Sequence, residues 1–360
     1  MSTFLKTANS TVLLCCTFLI AIITPSCKKD IHQPDAVAVS GQTAIPAGYM
    51  MTPVGLMRIQ DVHTIEPGFA VAIRNGHALK IRQDTREQTE DWGEIKGGLP
   101  ASILSHRLTA SGNTSLPSGY DDPNTGYNWV TGTEYAGNGQ PIMYFSTNYS
   151  VPVAPEDPGP LFYIWSGISP SPSSYPLIQP VLQWGSNGAF GGEYWTVANW
   201  CVFSPTLAAI SPNTPALYSG TNLQGIVNCY NYETANNSYD YTSYFYYNGS
   251  NQNILNVEYN TTYNKFGGGT GVFPTIPGTL TNAYEVLEVP GYTTTAYQYP
   301  NQENISMNSI SLKTGTTNSL NSTSVSTVNW TTFKEADLGE NTTIVNSDGT
   351  GDGQIDIWFY

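Results

Sequence analysis

The sequence predicts an all-β protein: a two-sheet antiparallel β-sandwich or jelly roll, preceded by a small N-terminal β segment. Three observations carry this expectation. Roughly a dozen short runs rich in Val, Ile, Tyr, Phe, Trp and Thr recur between residues 127 and 360, each bounded by Gly, Pro, Asn or Ser. None of them keeps a helical period over a useful length. The third is composition: with only 11% of residues charged, 24 Tyr, 12 Phe and 8 Trp provide the core material that a disordered polar chain lacks.

The elements follow in chain order. After Lys6 comes the apolar stretch "TVLLCCTFLIAII", long enough for a secretory segment and short for a membrane span. It is followed by "TPSCKKD", in which Ser26 precedes Cys27; this resembles bacterial lipoprotein signals and implies cleavage before Cys27 with acylation of its thiol. Residues 1–26 are therefore expected to be a signal peptide and residues 27–48 a tether. The body would be exported and held at a bacterial outer membrane or cell surface through lipid alone. Residues 49–82 read as three short strands, with "RNG" as a hairpin turn because Asn75 and Gly76 accept positive φ. Residues 83–126 read as linker or surface loop. The main domain, 127–360, is of ordinary length for a single β-sandwich.

Charge and rare residues exclude several classes. Removing Lys6 with the signal leaves 12 bases against 27 acids, a balance of −15, which argues against nucleic acid as a partner. Cys15 and Cys16 leave with the signal and Cys27 is taken by lipid, so Cys201 and Cys229 remain, either as one disulfide or as two buried thiols. No Cys and His have metal-ligand spacing, so neither a metal nor another cofactor is expected. The Asp-rich "DGTGDGQID" reads as a turn before the last strand. No nucleotide fingerprint and no internal repeat is present. A monomer is expected.

Because side chains alternate along a strand, parity sorts the faces. In "LIQPVLQWG" Ile178, Pro180, Leu182 and Trp184 share a core face, and Leu177, Gln179, Val181 and Gln183 share the other. Uncharged amides on that second face suit a cleft better than open solvent. In "LFYIWSGIS" Tyr163 and Trp165 oppose Phe162, Ile164 and Ile168, and Ser166 and Gly167 leave the chain slim. In "YWTVANW" Trp195, Val197 and Asn199 oppose Tyr194, Thr196, Ala198 and Trp200, and parity leaves open which set lines the cleft. In "NAYEVLEV" Glu288 shares a face with Tyr284 and Val286, and Glu285 with Ala283, Leu287 and Val289. The aromatic and polar set places Glu288 in the cleft and leaves Glu285 at a bulge or edge. A carboxyl among Tyr and Trp has its pKa raised by desolvation.

These segments, "WSGIS…LIQPVLQWG…YWTVANW…AYEVLEV…ISMNSISL", resemble the eqolisins, the glutamic peptidases, over roughly residues 127 to 315. The family pattern runs W-V-G-I-D-G, L-Q-x-G, W-Y-E-W, A-E-W-I-V-E and a late F-x-x-V-x-F strand. The interval from Trp165 to Gln179 matches its spacing. The resemblance implies a concanavalin-like sandwich with a Gln and a Glu facing each other on one sheet. Gln179 falls on the catalytic Gln and Trp165 on a substrate-side Trp. Aligning the last Glu of each strand puts Tyr284 at the catalytic Glu; sliding the strand puts Glu288, or alternatively Glu285, there. Asn199 replaces the acid of the W-Y-E-W strand.

The expected activity is peptide hydrolysis in weak acid. Glu288 would serve as base for water and then acid for the departing amine, and the Gln179 amide would hold water and oxyanion. Trp165, Gln183, Tyr163, Tyr284, Trp195 and Asn199 would line the polypeptide site. The competing expectation is a carbohydrate-binding or carbohydrate-cleaving surface lipoprotein, in which the same rings and amides take a glycan.

Overall fold

A computed structural model describes residues 45–95, 129–137, 139–157, 161–170, 175–212, 216–235, 238–260, 279–290, 298–334 and 340–359. All of them lie in one unit, Ala36–Tyr360. The expected signal peptide, Cys27 and nearly all of the tether fall outside the described residues, as does most of the expected linker.

The described chain is built from strands, with two single 3-10 turns. The N-terminal segment supplies β1 (Tyr49–Thr52), β2 (Gly55–Arg58), β3 (Val62–Thr64), β4 (Phe69–Arg74), β5 (His77–Arg82) and β6 (Gln88–Glu94). The next group is β7 (Trp129–Ala136), β8 (Ile142–Ser150), β9 (Phe162–Ser169), β10 (Leu177–Trp184), β11 (Trp195–Ser204) and β12 (Leu207–Ile210). Then come β13 (Asn222–Glu233), β14 (Ser238–Tyr247), β15 (Ser250–Asn260), β16 (Asn282–Glu288) and β17 (Asn304–Thr314). The last four are β18 (Thr323–Ser324), β19 (Trp330–Lys334), β20 (Asn341–Asn346) and β21 (Thr350–Trp358).

Two sheets pack face to face. The first has eight strands in the order β19-β7-β16-β9-β10-β11-β12-β3. The second runs β20-β21-β17-β8-β13-β14-β15-β4-β5-β6, with β18 paired to β17 beside that path. Their facing sides share one apolar cluster, in which Phe162, Ile164, Ile178, Leu182, Val197 and Leu287 meet Phe145, Val227, Tyr241 and Phe245. This is the all-β sandwich that the strand spacing predicts. Pro180 is accommodated between the sheets because it lies over Gly225 of β13, where an added Cβ would stand 3.0 Å from its ring.

The N-terminal segment joins both sheets. β3 pairs in parallel with β12 at the edge of the first sheet, and β4 pairs in parallel with β15 in the second. The predicted turn is present, with Asn75 at φ 55° and Gly76 at φ 75° between β4 and β5. β6 lies in the stretch expected to be linker; it is an exposed strand carrying Glu90, Asp91 and Glu94 at the end of the second sheet.

An ionic cluster fastens this segment. Arg74, at the end of β4, places Nε and Nη2 2.6 and 2.7 Å from the two carboxylate oxygens of Glu258 on β15. Arg86, in the turn before β6, reaches Asp240 on β14 with two nitrogens at 2.8 and 2.5 Å and Glu258 at 2.7 Å. Asp240 and Glu258 are each 1% exposed, so the arginines neutralise charges that water does not reach.

Cys201 and Cys229 are both free and buried between the sheets, so they are not joined as a disulfide. Burial pushes the Cys201 thiol up and the Cys229 thiol to about 12, which leaves both protonated and unreactive.

Candidate functional site

The outer face of the eight-stranded sheet, turned away from the second sheet, carries a second apolar cluster that includes Tyr163, Trp165, Leu177, Val181, Ala198, Trp200, Tyr284 and Val286. Strand register arranges the face in rows. One row reads Glu288, Tyr163, Gln183, Thr196 across β16, β9, β10 and β11. The next reads Val286, Trp165, Val181, Ala198. The row beyond holds Tyr284, Gly167, Gln179 and Trp200; Gly167 has no side chain, and a Cβ there would stand 3.0 Å from the Cβ of Gln179.

Six predicted residues therefore share this face: Gln179, Gln183, Glu288, Tyr163, Trp165 and Tyr284. Glu288 and Gln179 are two strands and four residues apart, which at ordinary strand dimensions is about 16 Å between Cα atoms. No hydrogen bond joins them. Neither polar atom of Gln179 meets a protein partner although the side chain is fully buried. Tyr284 is the group nearest Gln179 along its row on the β16 side, and its hydroxyl pairs with Ser169 Oγ at 3.0 Å.

Three residues expected at the site are elsewhere. Glu285 points between the sheets, where the Thr147 hydroxyl donates to its Oε1. Trp195 lies in the inter-sheet core with its ring 5.4 Å from Trp184. Asn199 bridges the sheets, accepting from Ser243 Oγ at 2.7 Å and donating to the Asn253 carbonyl at 2.5 Å. The cause is the β10–β11 register, which pairs Trp184 with Trp195 and so puts the odd-numbered residues of β11 inside. The side of β11 that faces the site is Thr196, Ala198 and Trp200. Trp200 was missed, and a fixed length for the 185–194 connection would have revealed it.

The chemistry of the face is concentrated at Glu288. The residue is fully buried, and burial pushes its carboxyl well above the ordinary range, an effect opposed by the hydrogen bond that Trp165 Nε1 donates to Oε2 at 3.1 Å. Its Oε1 meets no protein donor. Tyr163, opposite Glu288 in register, has its hydroxyl pKa raised by burial and then by the Glu288 charge.

A strand hairpin covers the face. Met50, Val54 and Met57 of β1, β2 and their turn belong to the same apolar cluster as Trp165 and Trp200. The Tyr163 hydroxyl donates to the Met51 carbonyl at 2.8 Å, and the Met51 amide donates to the Asn187 carbonyl at 2.7 Å. Gln183 holds the loop that carries Asn187: its Nε2 donates to the Gly185 carbonyl at 2.9 Å and its Oε1 accepts from Asn187 Nδ2 at 3.4 Å. The face thus already receives an extended peptide segment through both main-chain and side-chain contacts. Among the described residues no group of three His, Cys, Asp or Glu is placed to hold a metal ion.

Fold and face together define the class, a two-sheet β-sandwich with a concealed polar and aromatic face. A scan against protein-family models finds no match, and a search of curated proteins finds none either.

Proposed function

We propose that the chain is an exported, lipid-anchored polypeptide hydrolase of glutamic-peptidase type, in which Glu288 exchanges the protons and Tyr163 polarises the scissile carbonyl. The observation that carries this reading is the Tyr163 hydroxyl bound to the Met51 carbonyl at 2.8 Å, on the row that begins with Glu288. A main-chain carbonyl of an extended segment already meets that donor. In the reaction, ionised Glu288 takes a proton from water as the hydroxide adds to the carbonyl carbon. The oxyanion accepts from Tyr163, and Glu288 returns the proton to nitrogen as the C–N bond breaks. A raised pKa makes the carboxylate the stronger base this step needs. Gln179, with donor and acceptor both free, hydrogen-bonds the backbone of a longer substrate.

A second reading, polypeptide binding without cleavage, is favoured by Tyr284, which stands on the row of Gln179 where the family pattern has its first Glu.

The test compares a soluble version beginning at Lys28, without the lipid-bearing Cys27, with one beginning at Ile59, which also lacks the hairpin, on a denatured protein mixture from weak acid to neutrality. Removing the hairpin should raise cleavage, Glu288→Gln should abolish it, and Tyr163→Phe should lower kcat by roughly a hundredfold. Gln179→Ala should raise KM with kcat retained. Cleavage that survives Glu288→Gln overturns the assignment, and binding with no cleavage by any version selects the second reading.

A further inference from the structure

The outer face of the second sheet presents a different surface. Along β8, β13 and β14 the inward residues Phe145, Tyr149, Leu223, Val227, Tyr241 and Phe245 fill the core. The alternate residues look outward, and over three adjacent strands none of them is charged before Asp240, whose charge Arg86 neutralises. In a chain with 27 acids such an uncharged stretch is selective.

What stands there is a set of rings among amides. Tyr144 pairs in register with Asn228, and Asn228 with Thr242, whose hydroxyl donates to Asn256 at 2.9 Å. On a parallel row Asn148 pairs with Gln224, and Gln224 with Tyr246. Tyr244 lies between the rows, its hydroxyl pKa raised by burial and then by Tyr144. Tyr144 and Tyr244 are half-buried and Tyr246 is 44% exposed, so their rings are accessible while their positions are held by the sheet. Asn148 Oδ1 is buried without a protein partner. Among the described residues Lys313, with Nζ 5.4 Å from the Tyr144 ring centre, is the one cation that the register brings to these rows.

We propose that this face binds a neutral polysaccharide. Ring faces take the apolar C–H side of a sugar, and Asn and Gln amides both donate to and accept from its hydroxyls. An anionic polymer would need a cluster of bases, which these rows lack. A protein partner would be anchored by a desolvated apolar centre, whereas the aliphatic residue within these rows, Ile226, is only 4% exposed and the exposed Ile254 lies outside them on the next strand, β15. From the Tyr144 row to the Tyr246 row the face extends about 13 Å along the strands, room for several sugar rings. The site lies on the opposite side of the molecule's sandwich from Glu288 and does not depend on the hydrolase reading.

The test is affinity electrophoresis of the purified exported chain through gels containing laminarin, galactomannan, xyloglucan or soluble starch. Retardation by at least one of them is expected, insensitive to added salt. Tyr144→Ala and Tyr244→Ala should each weaken it by about tenfold while far-UV circular dichroism stays unchanged. Glu288→Gln should leave it as it was. No retardation in any gel, or retardation that both tyrosine variants retain, overturns the proposal. So does sedimentation of the chain as a dimer that Tyr246→Ala dissociates, since the face would then be a contact between copies.

Discussion

Replacing Arg86 by Ala is expected to cost about 3 kcal/mol of stability, because removing one partner of a buried ion pair leaves the other charge without compensation. Arg86 serves two carboxylates at once, Asp240 and Glu258, both 1% exposed. Arg74 remains on Glu258 in the variant, so Asp240 carries the penalty; Asn231 Nδ2, at 3.1 Å, is its remaining neutral donor. The loss should be local first. The β4–β6 stretch is held to β14 and β15 by this cluster and by the short parallel β4–β15 ladder, so amide exchange should accelerate there before it does in β8 or β13. Arg86→Lys should recover little, since a single ammonium cannot reproduce the fork that binds both Asp240 oxygens. A variant with unchanged denaturant midpoint and unchanged exchange in β4–β6 would refute the fastening role.

The second large effect is a fall in stability with rising pH. Glu285 and Glu288 are both fully buried, and burial raises both carboxyl pKa values well above the ordinary range. Each binds its proton more tightly folded than unfolded. Stability from this source is complete below the ordinary carboxylate pKa of about 4.3 and is lost as pH climbs toward the raised folded value. The slope in that window reaches about 1.4 kcal/mol per pH unit for each carboxyl. Glu285→Gln removes one ionisation from the inter-sheet core and keeps an oxygen for the Thr147 hydroxyl. Thermal melts from about pH 4.5 to about pH 8 should therefore diverge, with the variant gaining on the wild type as pH rises. Curves that stay parallel would show that Glu285 is not protonated in the native state.

Much of this was legible from alternation alone. Parity separated Gln179 and Gln183 from Ile178, Leu182 and Trp184, and it separated Glu288 from Glu285, because each strand has one face against the core. What parity cannot give is the offset between strands. Trp195 and Asn199 were assigned to the site because the 185–194 connection hid the β10–β11 register, and the distance between Gln179 and Glu288 depends on three strands at once. The polar strands β6 and β20 give weak signals for the same reason that they sit at the ends of the second sheet: little of their surface has to be apolar. β12 is apolar and buried throughout but only four residues long, too short for alternation to register. The covering of the face by β1 and β2 is a contact between residues far apart in sequence, and no local pattern announces it.

β6 ends the second sheet with a row of backbone groups that another chain could extend. Glu90, Asp91 and Glu94 line that border, and a second molecule arriving edge to edge would bring the same three acids against them. Mutual repulsion at that margin protects a protein made almost wholly of strands from running its sheets together into fibres.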